Sequence, residues 1–222
     1  MTQSAEDRIF DSFASALAGA ERHETPYRHW FMSDIFPTDA LARLQSLEFP
    51  VGDLGGVSGK REFHNDQRHY FDRMNIERHQ VVSDIAGAFQ SPRMVRLIET
   101  FFGIDLGGTY LRLEYAQDVE GFWLEPHTDL GVKRITVLIY LSDEAGHEDL
   151  GTDIFSADKQ PAKRSPFSPN LAMAFVPGDN TYHGFQKRPI NGVRKSVILN
   201  YVTDAWRDRE QLAFPEQTVS AA

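Results

Sequence analysis

The chain contains no cysteine. That excludes disulfides and every thiolate-based zinc or iron–sulfur site. It is compatible with a reducing cytoplasm, the location expected here. Cationic side chains are also scarce. Lys and Arg number 23 against 32 Asp and Glu, a net charge of −9. Such a surface repels phosphate backbones and anionic lipid, so neither nucleic acid nor a membrane is expected as a partner. Long apolar runs are missing: no stretch approaches the roughly 18 residues that a membrane helix needs. The opening residues, MTQSAEDRIFDSF, carry acids and no apolar core and are not read as a secretory signal.

What is present is ordinary for a folded globular chain. Hydrophobic residues make up 41% and charged residues 25% of 222, enough to bury a full core. The expectation is one domain over 1–222. Residues 1–103 would form a mainly helical buttress with a possible lid, and 104–204 a β-rich core.

Ile9, Phe10, Phe13 and Leu17 recur at helical spacing. Thr38 is a candidate N-cap for a helix over 39–47, and residues 77–90 predict a third helix. Ser91-Pro92 restarts a fourth with Ser at the N-cap and Pro at N1, and Gly103 should stop it. The period then changes. Residues 109–116 place Leu111, Leu113 and Tyr115 on one strand face and Arg112 and Glu114 on the other. Residues 134–141 are apolar on both sides, as an inner strand covered on both faces should be. Residues 171–177 and 194–202 are further strand candidates, and the tail after Trp206 reads as polar and irregular. Helices followed by a run of strands suggest a jelly roll buttressed by helices.

The chemistry-bearing residues fall in the strand region. In an extended strand, residues i and i+2 point the same way. His127 and Asp129 therefore offer an imidazole and a carboxylate to one point. A second imidazole, His183, would complete a facial 2-His-1-carboxylate triad, which leaves three positions open on an octahedral Fe(II). A lone His-x-Asp is as easily a solvated loop, so the neighbours matter. Arg194 and Ser196 open the last strand on one face. A guanidinium fork beside a hydroxyl suits the distal carboxylate of a dicarboxylic acid. An isolated Arg194 would read as a strand-end surface charge.

His127-Thr128-Asp129, His183 56 residues on, and Arg194-x-Ser196 eleven residues later together resemble the Fe(II)/2-oxoglutarate oxygenase superfamily. The stretch from about Tyr110 to Val202 is similar to its prolyl-hydroxylase-like members. The run from Gly121 to Asp129 resembles their Pro-His-x-Asp strand, and Arg134 to Leu141 their next core strand. Leu150-Gly151-Thr152-Asp153 stands where they usually have Gly-Gly-x-Thr. The resemblance implies a double-stranded β-helix, a cupin-like jelly roll. It implies Fe(II) on His127, Asp129 and His183, with 2-oxoglutarate held by Arg194 and Ser196. Tyr140 matches a tyrosine that binds the same carboxylate in several members, and Tyr115 could line the pocket similarly. The implied reaction uses O₂, releases succinate and CO₂, and hydroxylates an unactivated C–H. Two alternatives stay open: a non-catalytic jelly-roll binding protein, and a cupin-type enzyme that does not use 2-oxoglutarate.

Residues 60–78 mix basic and acidic side chains with His64, His69 and aromatics. Their bland reading is a solvated loop packed on the barrel. The sharper one is a lid beside the iron that binds a small polar or anionic substrate through Arg61, His64 or Arg68. Of the remaining histidines most are expected at the surface, His147 among them, in the acidic run DEAGHED.

Overall fold

The structure is a computed structural model that describes residues 3–52, 59, 68–129 and 131–222. Helix α1 (Ala5–Ala18) starts at Ser4, whose hydroxyl accepts from the Asp7 amide. It buries Ile9, Phe13, Ala16 and Leu17, one helical face. Helix α2 (Thr38–Gln45) begins one residue earlier than expected, with Pro37 at its N-cap. The expected third helix is two: α3 (Arg73–Arg78) and α4 (Gln80–Gln90), parted by His79 in extended conformation. Helix α5 (Pro92–Phe102) has Ser91 at its N-cap, Pro92 in its first turn and Gly103 in the left-handed region as its stop. Among the described residues no helix is long and apolar enough to cross a membrane.

Two antiparallel sheets carry the rest. The larger has the order β1-β2-β9-β6-β11-β4-β3. Its strands are β1 (Glu21–His23), β2 (His29–Met32), β3 (Arg68–Tyr70), β4 (Tyr110–Asp118), β6 (Lys133–Tyr140), β9 (Ala172–Phe175) and β11 (Arg194–Val202). The smaller has the order β5-β10-β7-β8, from β5 (Leu124–His127), β7 (Asp153–Phe155), β8 (Pro161–Arg164) and β10 (His183–Phe185).

Strand alternation divides the larger sheet into two faces. Leu111, Leu113 and Tyr115 of β4, Ile135, Val137 and Ile139 of β6, and Val197, Leu199 and Tyr201 of β11 join the helices in one core. Phe13 of α1 meets Phe89 of α4 edge-on, ring centres 5.1 Å apart, within that core. The opposite face looks into the space between the sheets. It carries Arg112, Glu114 and Asp118 of β4, Thr136 and Tyr140 of β6, and Arg194, Ser196 and Asn200 of β11, all buried.

Three expectations need correction. The first hundred residues are not only helical, because β1, β2 and β3 extend the larger sheet at both edges. Strand β2, His-Trp-Phe-Met, is buried at all four positions, so no alternation marked it. The tail is largely irregular, as expected, but it is not all polar surface: Leu212, Ala213 and Val219 are buried, and the Val219 amide donates to Thr109 O. Histidines 29 and 147 are buried as well. His147 Nε2 bonds Asn191 O, which removes it from the solvent its acidic neighbours suggested.

Candidate metal centre and co-substrate pocket

His127 ends β5 and His183 begins β10, and the two are direct cross-strand partners. Their ring centres lie 4.4 Å apart. Asp129 follows two residues after His127. One ligand atom from each of His127, Asp129 and His183 lies within 4.8 Å of the others. Each imidazole is oriented in the same way: Nδ1 of His127 meets Glu125 O at 2.9 Å and Nδ1 of His183 meets Thr181 O at 3.0 Å. A carbonyl accepts only, so Nδ1 carries the proton and Nε2 keeps its lone pair. Burial, with His127 alongside, pushes the His183 pKa down to about 3. The ring is therefore neutral at pH 7, the form that binds metal.

Asp129 is fixed from the larger sheet. Lys133 Nζ pairs with Oδ1, and Thr136 Oγ1 donates to Oδ2 at 2.5 Å. Asn200 of β11 holds Thr136 in turn, Nδ2 to Oγ1 at 2.9 Å. Burial alone would raise the Asp129 pKa, but Lys133, His183 and these hydrogen bonds outweigh it and hold the carboxyl well below its usual range. Each carboxylate oxygen has two lone pairs, so both keep room for a metal. Two imidazoles that carry their proton on Nδ1, with one ionised carboxylate, are the donor set that a divalent first-row metal takes in a facial triad.

The same cavity continues to Arg194 and Ser196, and Arg68, Asp118, Thr152 and Phe185 also line it. Arg194 is buried. Its Nε donates to Leu150 O at 2.7 Å and its Nη1 to Asp118 Oδ2 at 2.5 Å. The departure at Leu150 from the usual glycine pattern thus leaves the turn usable, because it is the carbonyl that acts. Gly151 is required: a Cβ there would stand 1.8 Å from Ser165 O. Tyr140 reaches this end as well. Its hydroxyl bonds Thr152 Oγ1 at 2.8 Å and Ser165 Oγ at 2.5 Å, and its ring lies under the Arg194 guanidinium at 5.6 Å.

Tyr115 does not line the pocket. It sits on the helix side of β4 and donates to Leu44 O at 3.2 Å. Arg68 is in the cavity, but on edge strand β3 and not on a loop. Arg61 and His64, with residues 60–67 of the expected lid, lie outside the described residues. Asp118, Lys133, Thr136 and Asn200 were not anticipated. The one signal was Arg112, Glu114 and Asp118 at alternate places of β4, broken only by Ala116, a poor fit to a sheet face that meets only apolar neighbours.

No family model matches this sequence, and no curated protein does. Its three-dimensional likenesses are distant in sequence and wide in coverage. A structure of prolyl 4-hydroxylases from Phytophthora capsici is 12% identical, with a TM-score of 0.59, over 92% of this chain and 68% of that one. A Pseudomonas putida prolyl-4-hydroxylase is 14% identical, with a TM-score of 0.55, over 88% of this chain and 100% of its own. A Trichoplax adhaerens prolyl hydroxylase, in complex with a hypoxia inducible factor oxygen degradation domain peptide fragment, is 15% identical, with a TM-score of 0.56, over 90% and 91%. A Burkholderia pseudomallei protein described as of the 2OG-Fe(II) oxygenase family is similar at 14% identity and a TM-score of 0.52 over 87% and 89%. In fold, this chain is a helix-buttressed jelly roll of the kind these prolyl hydroxylases and 2OG-Fe(II) oxygenases share.

Proposed function

We propose that the chain is an Fe(II)- and 2-oxoglutarate-dependent oxygenase, with His127, Asp129 and His183 holding the metal. The observation that carries this is the convergence of those three donors in one cavity with Arg194 and Ser196. A cupin-type enzyme that does not use 2-oxoglutarate has no need of the last two. With O₂, bound Fe(II) and 2-oxoglutarate supply an oxidant for an unactivated C–H, and the co-substrate leaves as succinate and CO₂. The chain's own part is positioning. The carbonyls of Glu125 and Thr181 aim the imidazoles. Lys133 and Thr136 keep Asp129 ionised and in place. Arg194, seated by Leu150 and Asp118, presents Nη2 to a carboxylate with Ser196 beside it on the strand. Tyr140 braces that end through Thr152 and Ser165.

The prime substrate enters from the other side. A cleft of about 660 Å³ shares Asp129 and Lys133 with the cavity and is further lined by Asp105, Arg134, Val176 and Asp179. This mixed-charge wall supports a small polar or ionic substrate. A peptide side chain is the second reading, favoured by the peptide bound to the Trichoplax relative in fold.

The test measures Mn(II) affinity together with succinate release from 2-oxoglutarate, screened against amino acids, small acids and peptides. His127→Ala and His183→Ala should lose both, since two remaining ligands hold a labile divalent ion poorly. Wild-type succinate release in either variant would remove the proposed triad.

A further inference from the structure

A chain of buried polar groups runs beneath the cavity, across β11, β4 and β3. Arg112 donates Nη1 to Asn200 Oδ1 at 3.2 Å and Nη2 to Glu114 Oε2 at 2.5 Å. The side chain of Arg68 is 6% exposed. Its Nε lies 3.3 Å from Glu114 Oε1 and its Nη1 2.9 Å from Asp118 Oδ1. Asp118 also accepts from Arg194 through its other oxygen. The groups linked in this way are three guanidiniums, of Arg68, Arg112 and Arg194, and two carboxylates, of Glu114 and Asp118. Among the described residues one positive charge is left over, at a depth where an uncompensated charge is costly.

The surplus has a location. Arg112 is fully engaged: besides these bonds its Nε reaches Gln211 Oε1 at 3.0 Å, and the rings of Tyr70 and Trp206 flank it at 4.9 and 4.8 Å. Arg194 is already matched by Asp118. Arg68 is the loose member. Its Nε and Nη1 are buried and near both acids, yet neither makes an aligned hydrogen bond, and its side chain lines the cavity with Arg194.

We propose that Arg68 is a second carboxylate-binding residue of this cavity. It holds the distal carboxylate of 2-oxoglutarate jointly with Arg194, and Asp118 between them is the positioning group. The inference rests on the oxygenase reading above. An Arg194 neutralised by Asp118 offers an incoming anion a pair of zero net charge. Arg68 restores the one unit of charge that one carboxylate matches. It comes from the edge strand that a reading of β11 alone would never include.

The test compares two ligands on Mn(II)-loaded protein by calorimetric titration: 2-oxoglutarate, and 2-oxopentanoate, which has the same chain length and no distal carboxylate. Arg68→Gln leaves two guanidiniums facing two carboxylates, a balanced interior that should fold. It should weaken 2-oxoglutarate by roughly tenfold or more, the scale of a lost hydrogen bond to a charged group. Binding of 2-oxopentanoate should not change. Arg68→Lys should fall between, since an ammonium lacks the fork, and it serves as the readout if thermal melting shows the Gln variant unfolded. Equal weakening of both ligands, or of neither, would overturn the role of Arg68. Arg194→Leu separates this failure from the larger one. If it loses 2-oxoglutarate while Arg68 variants bind as wild type, only the second arginine is wrong. If wild-type protein binds no 2-oxoglutarate, both readings fall.

Discussion

His29 shows how a single buried ring makes a fold sensitive to acid. Its Nδ1 bonds Tyr27 O at 2.8 Å, and its Nε2 is buried without a hydrogen-bond partner. Burial lowers its pKa from the ordinary 6.5, only partly offset by that carbonyl. Below about pH 6.5 the unfolded chain therefore takes up a proton that the folded one refuses, and stability falls as pH falls. His29→Gln should flatten this acid limb by up to one proton, read from urea denaturation at a series of pH values between 5 and 7.5. An unchanged slope would mean that His29 is already charged in the fold. At this scale the candidate metal triad was legible as a cluster, because His127 and Asp129 sit at i and i+2 and need only a third donor. Tyr115 was misassigned although the sequence held the correction: it shares parity with Leu111 and Leu113, and parity put it against the helices. Asp118 and Lys133 were out of reach, because what makes them part of the site is across the sheets and not along the chain.

Among elements, the turn before β7 joins the pocket to the smaller sheet. Gly151 passes so close to Ser165 that no side chain fits, and its neighbours Leu150 and Thr152 are the ones that touch Arg194 and Tyr140. Gly151→Ala should cost about 1–3 kcal/mol, the usual range for forced overpacking. It should also weaken binding of 2-oxoglutarate, the proposed co-substrate, as the Leu150 carbonyl moves off Arg194. Chemical denaturation and 2-oxoglutarate titration check the two halves separately, and a variant as stable as wild type would show that the turn shifts freely. Long elements with a clear period were readable: β11 spans Arg194–Val202, as its sequence predicts, and α5 has its expected signals at both ends. Short ones were not. Strands of three or four residues, such as β2 and β3, are specified by the sheet they complete more than by their own pattern.

For the whole molecule, the last stretch of chain is a structural part and not an appendage. The Ala213 amide donates to Leu111 O, and Leu212, Ala213 and Val219 are buried. Each fully buried Leu or Val is worth about 1.5–3 kcal/mol. Deleting residues 207–222 should therefore lower the melting temperature markedly and uncover the Arg112 side of β4, since Gln211 and its bond to Arg112 go too. A truncated chain that melts like the full one would contradict the packing described. The two faces of the larger sheet also bear on how such a protein can change over time. Residues that hold the helices and residues that face the ligand alternate along β4, β6 and β11, so neighbours in sequence answer to different selective demands. Positions such as Ser196, Ile198 and Leu138 line the cavity, and Val197, Leu199 and Val137 beside them lie in the helix core. A lineage can alter what this cavity holds at the first set without touching the second. The charged members are the exception, and they must be replaced as a balanced group or kept.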